Sequence, residues 1–210
     1  MLWAPFSDLM QRIITLNKWE QKINLRRRVQ TLNLPQGSKV LDFGCGTGLY
    51  ARVFTKMGFH YCGYDIDHRL VSYAHCLYRN CQFTASKDEL KKEAPFDLVV
   101  ANCCFHHIDD LTLHEELNEL KRILSADGTL FVVDILISNE DTFLLRKLFR
   151  KLELGGHVRS YNDYKKLIEQ HFKIVKSNVG RSHLFSIKNN PIYNDMVFFE
   201  CTVAHVGGGG

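Results

Sequence analysis

No apolar run in the chain approaches the about 20 residues that a membrane-spanning helix needs. The opening MLWAPFSDLMQRIITL is apolar only in patches. Asp8, Gln11 and Arg12 interrupt it and no small-residue cleavage site follows, so it does not read as a signal peptide. There is no C-x-x-C pair, and the seven cysteines are odd in number and irregularly spaced. That excludes a disulfide framework and points to reduced thiols in an intracellular, cytoplasmic protein. Internal repeats are absent, and Gly207 to Gly210 reads as a flexible tail outside the fold. A net charge of +4 is too weak to demand nucleic acid. Two local basic clusters matter more: Arg26, Arg27 and Arg28, then Arg146, Lys147, Arg150 and Lys151.

What remains is ordinary for one globular domain. The 210 residues are 45% hydrophobic and 24% charged, enough for one proper core and too few for two. A single domain is expected over 1–206. From Lys39 to about Phe131, short β-branched runs alternate with amphipathic stretches. KVLDF (39–43), HYCGYD (60–65), CQFTA (81–85), FDLVVAN (96–102) and TLFVVDIL (129–136) read as strands. Between them, helices are predicted over 48–59, after Asp65, and where Leu113, Leu117, Leu120 and Leu124 fall at helical spacing. FDLVVAN is apolar on both faces, as a central parallel strand should be. The pattern predicts βαβ units and a mostly parallel sheet covered on both sides.

Other segments stand outside that rhythm. An N-terminal helical cap (1–35) carries Phe6, Leu9, Ile13 and Leu16 as a stripe. An insertion after the fifth strand (139–160) carries Leu145, Leu148, Phe149 and Leu152 on one side and the second basic cluster on the other. Beside the Gly155–Gly156 pair, that arrangement suits a lid over a substrate or a weak contact with anionic lipid headgroups. Ser160 with Asp163 reads as a capping box for a last helix over 161–171. FKIVKSNV and DMVFFECTVA are read as two further strands, joined by a polar loop (181–193).

The strongest chemical signal is LDFGCGTG (41–48), where a strand turns into a helix. Glycines at 44, 46 and 48 allow a tight turn and close approach of a ligand. The spacing is G-x-G-x-G rather than the G-x-G-x-x-G of dinucleotide loops. Asp42, two residues before the first glycine, would repel a pyrophosphate but could attract an ammonium. Asp65 ends the second strand, about where a ribose diol needs a carboxylate acceptor.

Together, LDFGCGTG, GYDID (63–67), FDLVVANCCFHHI (96–108) and LKRILSADGTLFVVD (120–134) resemble the class I S-adenosylmethionine (SAM)-dependent methyltransferases, and the closest likeness is to the small-molecule type of ubiquinone and menaquinone biosynthesis. The resemblance implies a Rossmann-like α/β fold with a seven-stranded, mostly parallel sheet whose last strand is antiparallel. It also implies SAM as cofactor, S-adenosylhomocysteine (SAH) as product, no metal, and a small-molecule acceptor. By that likeness Asp42, Gly44, Cys45, Gly46 and Gly48 border the methionine end of SAM. Asp65 binds the ribose hydroxyls, Ile66 packs against adenine, and Asn102 lines the cofactor. Ser86 stands where many members have an acid reaching the adenine amino group. Either Ser86 or a backbone carbonyl takes that contact.

The stretch ANCCFHHIDD (101–110) then lies beside the point where the methyl group should project. Four uses compete. Zinc normally draws on two separated ligand pairs, which Cys103, Cys104, His106 and His107 are not. A nucleophilic Cys104 would lack the preceding proline and the basic channel of cytosine-carbon methyltransferases. Nucleobase amino methylation would lack the two prolines of its turn, although NCCF keeps that turn's ends. In a small-molecule methyltransferase, a histidine acts as general base, orients the acceptor, or simply packs. If strand alternation continues past Asn102, His106 shares its face and is the base; if the turn breaks it, His107 takes that role. His157, Arg159, Tyr161 and Arg181 are the candidate polar contacts for the acceptor. An RNA-base methyltransferase using the basic clusters, and a non-catalytic SAM-binding module, are the alternative functions.

Overall fold

The computed structural model describes residues 18–137, 156–187 and 190–203, with the backbone alone described over 18–21, 182–187 and 190–194. The stripe from Phe6 to Leu16, the 145–152 stripe with its basic cluster, most of the 139–160 insertion and the glycine tail lie outside the described residues.

Helix α1 (Lys18–Gln30) precedes strand β1 (Lys39–Phe43), α2 (Ala51–Lys56), β2 (His60–Tyr64), α3 (His68–Leu77), β3 (Gln82–Thr84) and α4 (Lys87–Glu93). Then come β4 (Phe96–Asn102), one 3₁₀ turn (Phe105–His107), α5 (Asp110–Ile123), β5 (Leu124–Ile135), α6 (Tyr161–Glu169), β6 (Phe172–Ile187) and β7 (Asn190–Val203). The strands form one sheet in the order β3-β2-β1-β4-β5-β7-β6. β1 through β5 pair in parallel, and β7 runs antiparallel between β5 and β6. The order reverses between β1 and β4, so a crevice opens at their carboxyl ends, where open α/β sheets hold ligands.

The central strand explains why the sheet is covered twice. Along β4, Phe96, Val99 and Ala101 enter one core with Leu90 of α4, Leu113, Leu117 and Leu120 of α5, and Tyr164 and Ile168 of α6. Leu98 and Val100 enter the opposite core with Leu25 and Val29 of α1, Phe54 of α2 and Ala74 of α3. Leu113, Leu117 and Leu120 are at most 1% exposed, so truncating any of them costs about 2–5 kcal/mol. Short polar side chains start the helices. Asp67 accepts from the Arg69 amide, Asp109 from the Thr112 amide and Ser160 from the Asp163 amide, the last as the S-x-x-D spacing predicts.

Two boundaries differ from the sequence reading. β5 begins at Leu124, directly after α5, and its pairing with β4 shifts register between Phe96 and Leu98. The expected polar loop over 181–193 is mostly ladder: β6 and β7 pair from Phe172↔Val203 to Ile187↔Asn190, leaving two residues between them. This hairpin lies at the edge of the sheet, where polar residues are tolerated because one face can stay wet.

Candidate active site

The glycine loop leaves β1 at Phe43 and reaches α2 through three left-handed glycines, with φ of +75° at Gly44, +53° at Gly46 and +76° at Gly48. The amides of Gly44 and Cys45 both donate to the Tyr64 carbonyl, at 2.8 and 2.9 Å, which ties the loop to the end of β2. A Cβ on Gly44 would lie 2.3 Å from the Cys104 sulfur, so position 44 admits no side chain. Cys104 is thereby spent on packing. Burial pushes its thiol pKa well up, which leaves a protonated side chain rather than a nucleophile. Cys45 is likewise buried and its pKa raised, chiefly by desolvation.

Asp65 faces the loop. Its Oδ2 accepts from the Gly46 amide at 2.8 Å and its Oδ1 from the Asp67 amide at 2.9 Å. Among the described residues no cation pairs with it, and burial raises its pKa above the ordinary carboxylate value. Each oxygen keeps a lone pair for a further donor. Beside it, Ile66 is 84% exposed, an apolar side chain turned to solvent. A desolvated acceptor carboxylate, a bare apolar surface and a loop that excludes side chains fit a nucleoside with an amino-acid tail.

Asp42 departs from expectation. It is 1% exposed beneath the loop, where the Tyr61 hydroxyl donates to its Oδ2 at 2.9 Å. Desolvation, partly offset by that bond and reinforced by Asp65, pushes its pKa up to about 7. Its carboxyl therefore supports the loop from below instead of meeting a ligand ammonium. Ser86 also differs. Its hydroxyl accepts from the Glu89 amide at 3.3 Å as the N-cap of α4, so a helix start occupies the oxygen expected at adenine. The S-K-D-E run that signals this cap was legible in the sequence. Asn102 ends β4 with its amide nitrogen donating to the Tyr50 hydroxyl at 2.8 Å.

The two histidines separate. Cys103 adopts φ +52°, which breaks strand alternation, and the 3₁₀ turn follows. His106 is 4% exposed, and its Nδ1 lies 2.5 Å from Asp134 Oδ1. The His106 amide also donates to Asp134 Oδ2 at 3.1 Å. Asp134 falls between Val133 and Ile135, which face the α1 side, so it points to the opposite, α5–α6 side. His106 therefore does not share the face of Asn102, which continues the register of Leu98 and Val100. The expectation that His106 shares the face of Asn102 is overturned. It is a buried anchor that clips the β4 turn to β5. His107 is exposed, its ring centroid 4.0 Å from that of His106. Cys103 is exposed while Cys104 is packed on Gly44.

Of the acceptor candidates, Arg159 is corrected most sharply. It is 6% exposed, and all five of its N–H groups are spent. Nε and Nη2 donate to Asp110 Oδ1 at 2.8 and 2.6 Å. Nη1 donates to the Phe105 and His157 carbonyls at 2.9 and 3.0 Å, and Nη2 also to the Ile108 carbonyl at 2.7 Å. Arg159 thus clamps the 105–110 turn and has nothing left for a substrate. Tyr161 stacks on Phe199, with its hydroxyl 2.8 Å from that of Ser177. Arg181 is 3.2 Å from Asp195. His157 is exposed, and its amide donates to the His106 carbonyl at 3.0 Å, which places it beside the histidine turn.

A cleft of about 550 Å³, open to solvent, starts at Asn102 and Cys103. Leu25, Val133, Met196 and Phe198 give it apolar walls, while Asn24, Arg28, Tyr50 and Arg181 supply polar groups. In the sequence Arg28 stood out only as part of a basic run, and Tyr50 not at all. β7 brings Met196 and Phe198 to the cleft through long-range pairing that no local pattern reveals.

Residues 16–177 match the family described as a methyltransferase domain. An uncharacterized methyltransferase of Schizosaccharomyces pombe is 34% identical over 125 residues, 51% of this chain and 42% of that protein. The C-methyltransferase NovU of Streptomyces niveus is 30% identical over 140 residues, 61% of this chain and 32% of that protein. The chain spans less than half the length of these curated relatives. A solved structure of a SAM-dependent methyltransferase from Methanosarcina mazei superimposes with a TM-score of 0.66 at 17% identity, covering 84% of this chain and 98% of that one. At that identity the likeness is one of fold.

Proposed function

The chain belongs to the SAM-dependent methyltransferases, and from that premise we propose that it transfers the methyl group of SAM to an oxygen, carbon or nitrogen of a small, partly apolar acceptor. The observation that carries the acceptor class is the cleft beside Asn102: about 550 Å³, apolar-walled, with a few polar groups at its edges. Apolar walls with a few polar groups are the character of a small-molecule site. That NovU is named a C-methyltransferase makes carbon one of the atoms to consider.

SAM, when bound, supplies a methyl group already activated on a sulfonium. The chain's own residues then have mainly to bind and align, which can account for about 7–11 kcal/mol of barrier. Asp65 accepts from the ribose hydroxyls, and Ile66 covers the adenine. The loop from Gly44 to Gly48 admits the methionine end, and the Asn102–Tyr50 pair fixes the floor between cofactor and acceptor. Where the acceptor must lose a proton, His107 is the imidazole exposed at the rim of this turn, and it takes the role that the broken alternation denies to His106. Arg159 and the His106–Asp134 pair hold that rim in place.

The test is mass spectrometry of a small-molecule extract incubated with the protein and trideuteromethyl-labelled SAM. A low-mass species carrying the labelled methyl group supports the proposal. SAM consumption with label appearing only in macromolecules sinks it.

A further inference from the structure

The cleft holds one cation that no carboxylate among the described residues neutralises. Arg181 is paired with Asp195. Arg28 is not so paired. Its guanidinium carbon lies over the Phe198 ring of β7, 3.6 Å from the ring centroid. A guanidinium held over an aromatic ring keeps N–H donors at its edge for an oxyanion. Partial burial lowers the pKa of Arg28, a cost that a bound anion would relieve.

We propose that the acceptor carries a carboxylate or phosphate group, which Arg28 binds while the apolar body lies along Leu25, Val133 and Met196. This rests on the methyltransferase reading above and adds the substrate class to it. Sheet register supplies a ruler. Asn102 of β4 is opposite Val133 of β5, and Val133 is opposite Phe198 of β7. The reacting end and the anion-reading end of the cleft are therefore two strand steps apart, about 10 Å. The acceptor's charged group should sit about that far from the atom that receives the methyl.

The other carboxylate available is the one on the methionine end of SAM. Asp65, which would hold the ribose, closes β2, and β2 is four strand steps from β7 in the sheet. That is about 19 Å at ordinary strand spacing, beyond the reach of one amino acid attached to the ribose. The geometry therefore gives Arg28 to the acceptor.

The experiment titrates the protein, saturated with SAH, with 4-phenylbutyrate and with its neutral amide, followed by NMR. The acid should bind about 10- to 150-fold more tightly than the amide, the range of a charged hydrogen bond. Arg28→Met should bring that ratio to about twofold or less, with SAH affinity unchanged. Equal binding of the two probes by the unmodified protein overturns the proposal, as does a preference that survives Arg28→Met. A tenfold loss of SAH affinity in Arg28→Met overturns it too, because the guanidinium then reads the cofactor. If circular dichroism shows Arg28→Met unfolded, Phe198→Leu keeps the charge and removes its platform. The preference should then fall severalfold, and an unchanged ratio overturns the proposal. Failure of the unmodified protein to bind SAH at all would instead strike the methyltransferase reading, so the two failures are distinguishable.

Discussion

Replacing Asp42 with asparagine removes a buried titrating group while keeping the oxygen that receives the Tyr61 hydroxyl. The carboxyl ordinarily titrates at 3.8, and desolvation under the glycine loop pushes it up to about 7. The folded chain therefore binds a proton at this position more tightly than the unfolded chain does. Where the folded state holds more protons, stability falls as pH rises, here through the window from about 4 to about 7. Integrated between pH 5 and pH 8, that loss is about 2–3 kcal/mol. The asparagine variant carries no such slope at this site. Any cost of housing its NH₂ group is independent of pH and drops out of the comparison. Urea unfolding of both proteins at pH 5, 6, 7 and 8 reads the difference directly. The unmodified protein should lose about 2–3 kcal/mol more than Asp42→Asn across that range. Parallel stability profiles would mean that Asp42 is not desolvated beneath the loop.

Four further substitutions separate binding, chemistry and scaffolding. Asp65→Ala should weaken SAM and SAH binding about 10- to 150-fold by calorimetry, and unchanged affinity would remove Asp65 from the site. His107→Ala should cut turnover by at least about 100-fold with SAM affinity unchanged, whereas a drop below tenfold would mean that no base acts there. His106→Ala should instead lower stability by about 3 kcal/mol, because it strips the buried Asp134 of its imidazole partner, and a stable but inactive variant would restore His106 as the base. Arg159→Met leaves the Phe105, Ile108 and His157 carbonyls without their donor and should cost about 3 kcal/mol in urea melts; a loss under about 1 kcal/mol would show that the clamp is not needed.

The parts of this molecule that were legible in the sequence are those written locally. Apolar runs such as FDLVVAN and the leucines at 113, 117 and 120 announce a doubly covered strand and an amphipathic helix, because burial selects residue types at fixed periods. The turn from β1 to α2 announces itself through Gly44, Gly46 and Gly48, since left-handed φ of +53° to +76° at three alternate positions favours glycine. What was not legible depends on contacts across the fold. Arg159 looked like a contact for the acceptor, and its own acceptors lie 49 to 54 residues away except for one. Asp134 looked like part of an apolar strand, although a lone acid within VVDIL was the available hint of a buried partner. The order of the two histidines turned on Cys103, whose left-handed backbone a non-glycine residue does not advertise. The hairpin over 181–193 was hidden because its edge position tolerates polar residues that elsewhere mean a loop.

The central claim is that methyl groups leave SAM for a small acceptor seated beside Asn102. The most direct measurement follows methyl-tritiated SAM, incubated with the protein and a cell extract, into separated small-molecule, RNA and protein fractions. The account predicts label in the small-molecule fraction, lost when Asp65→Ala replaces the unmodified protein at SAM concentrations below the variant's dissociation constant. Label concentrated in RNA or protein, or no label transferred from SAM that demonstrably binds, would contradict it.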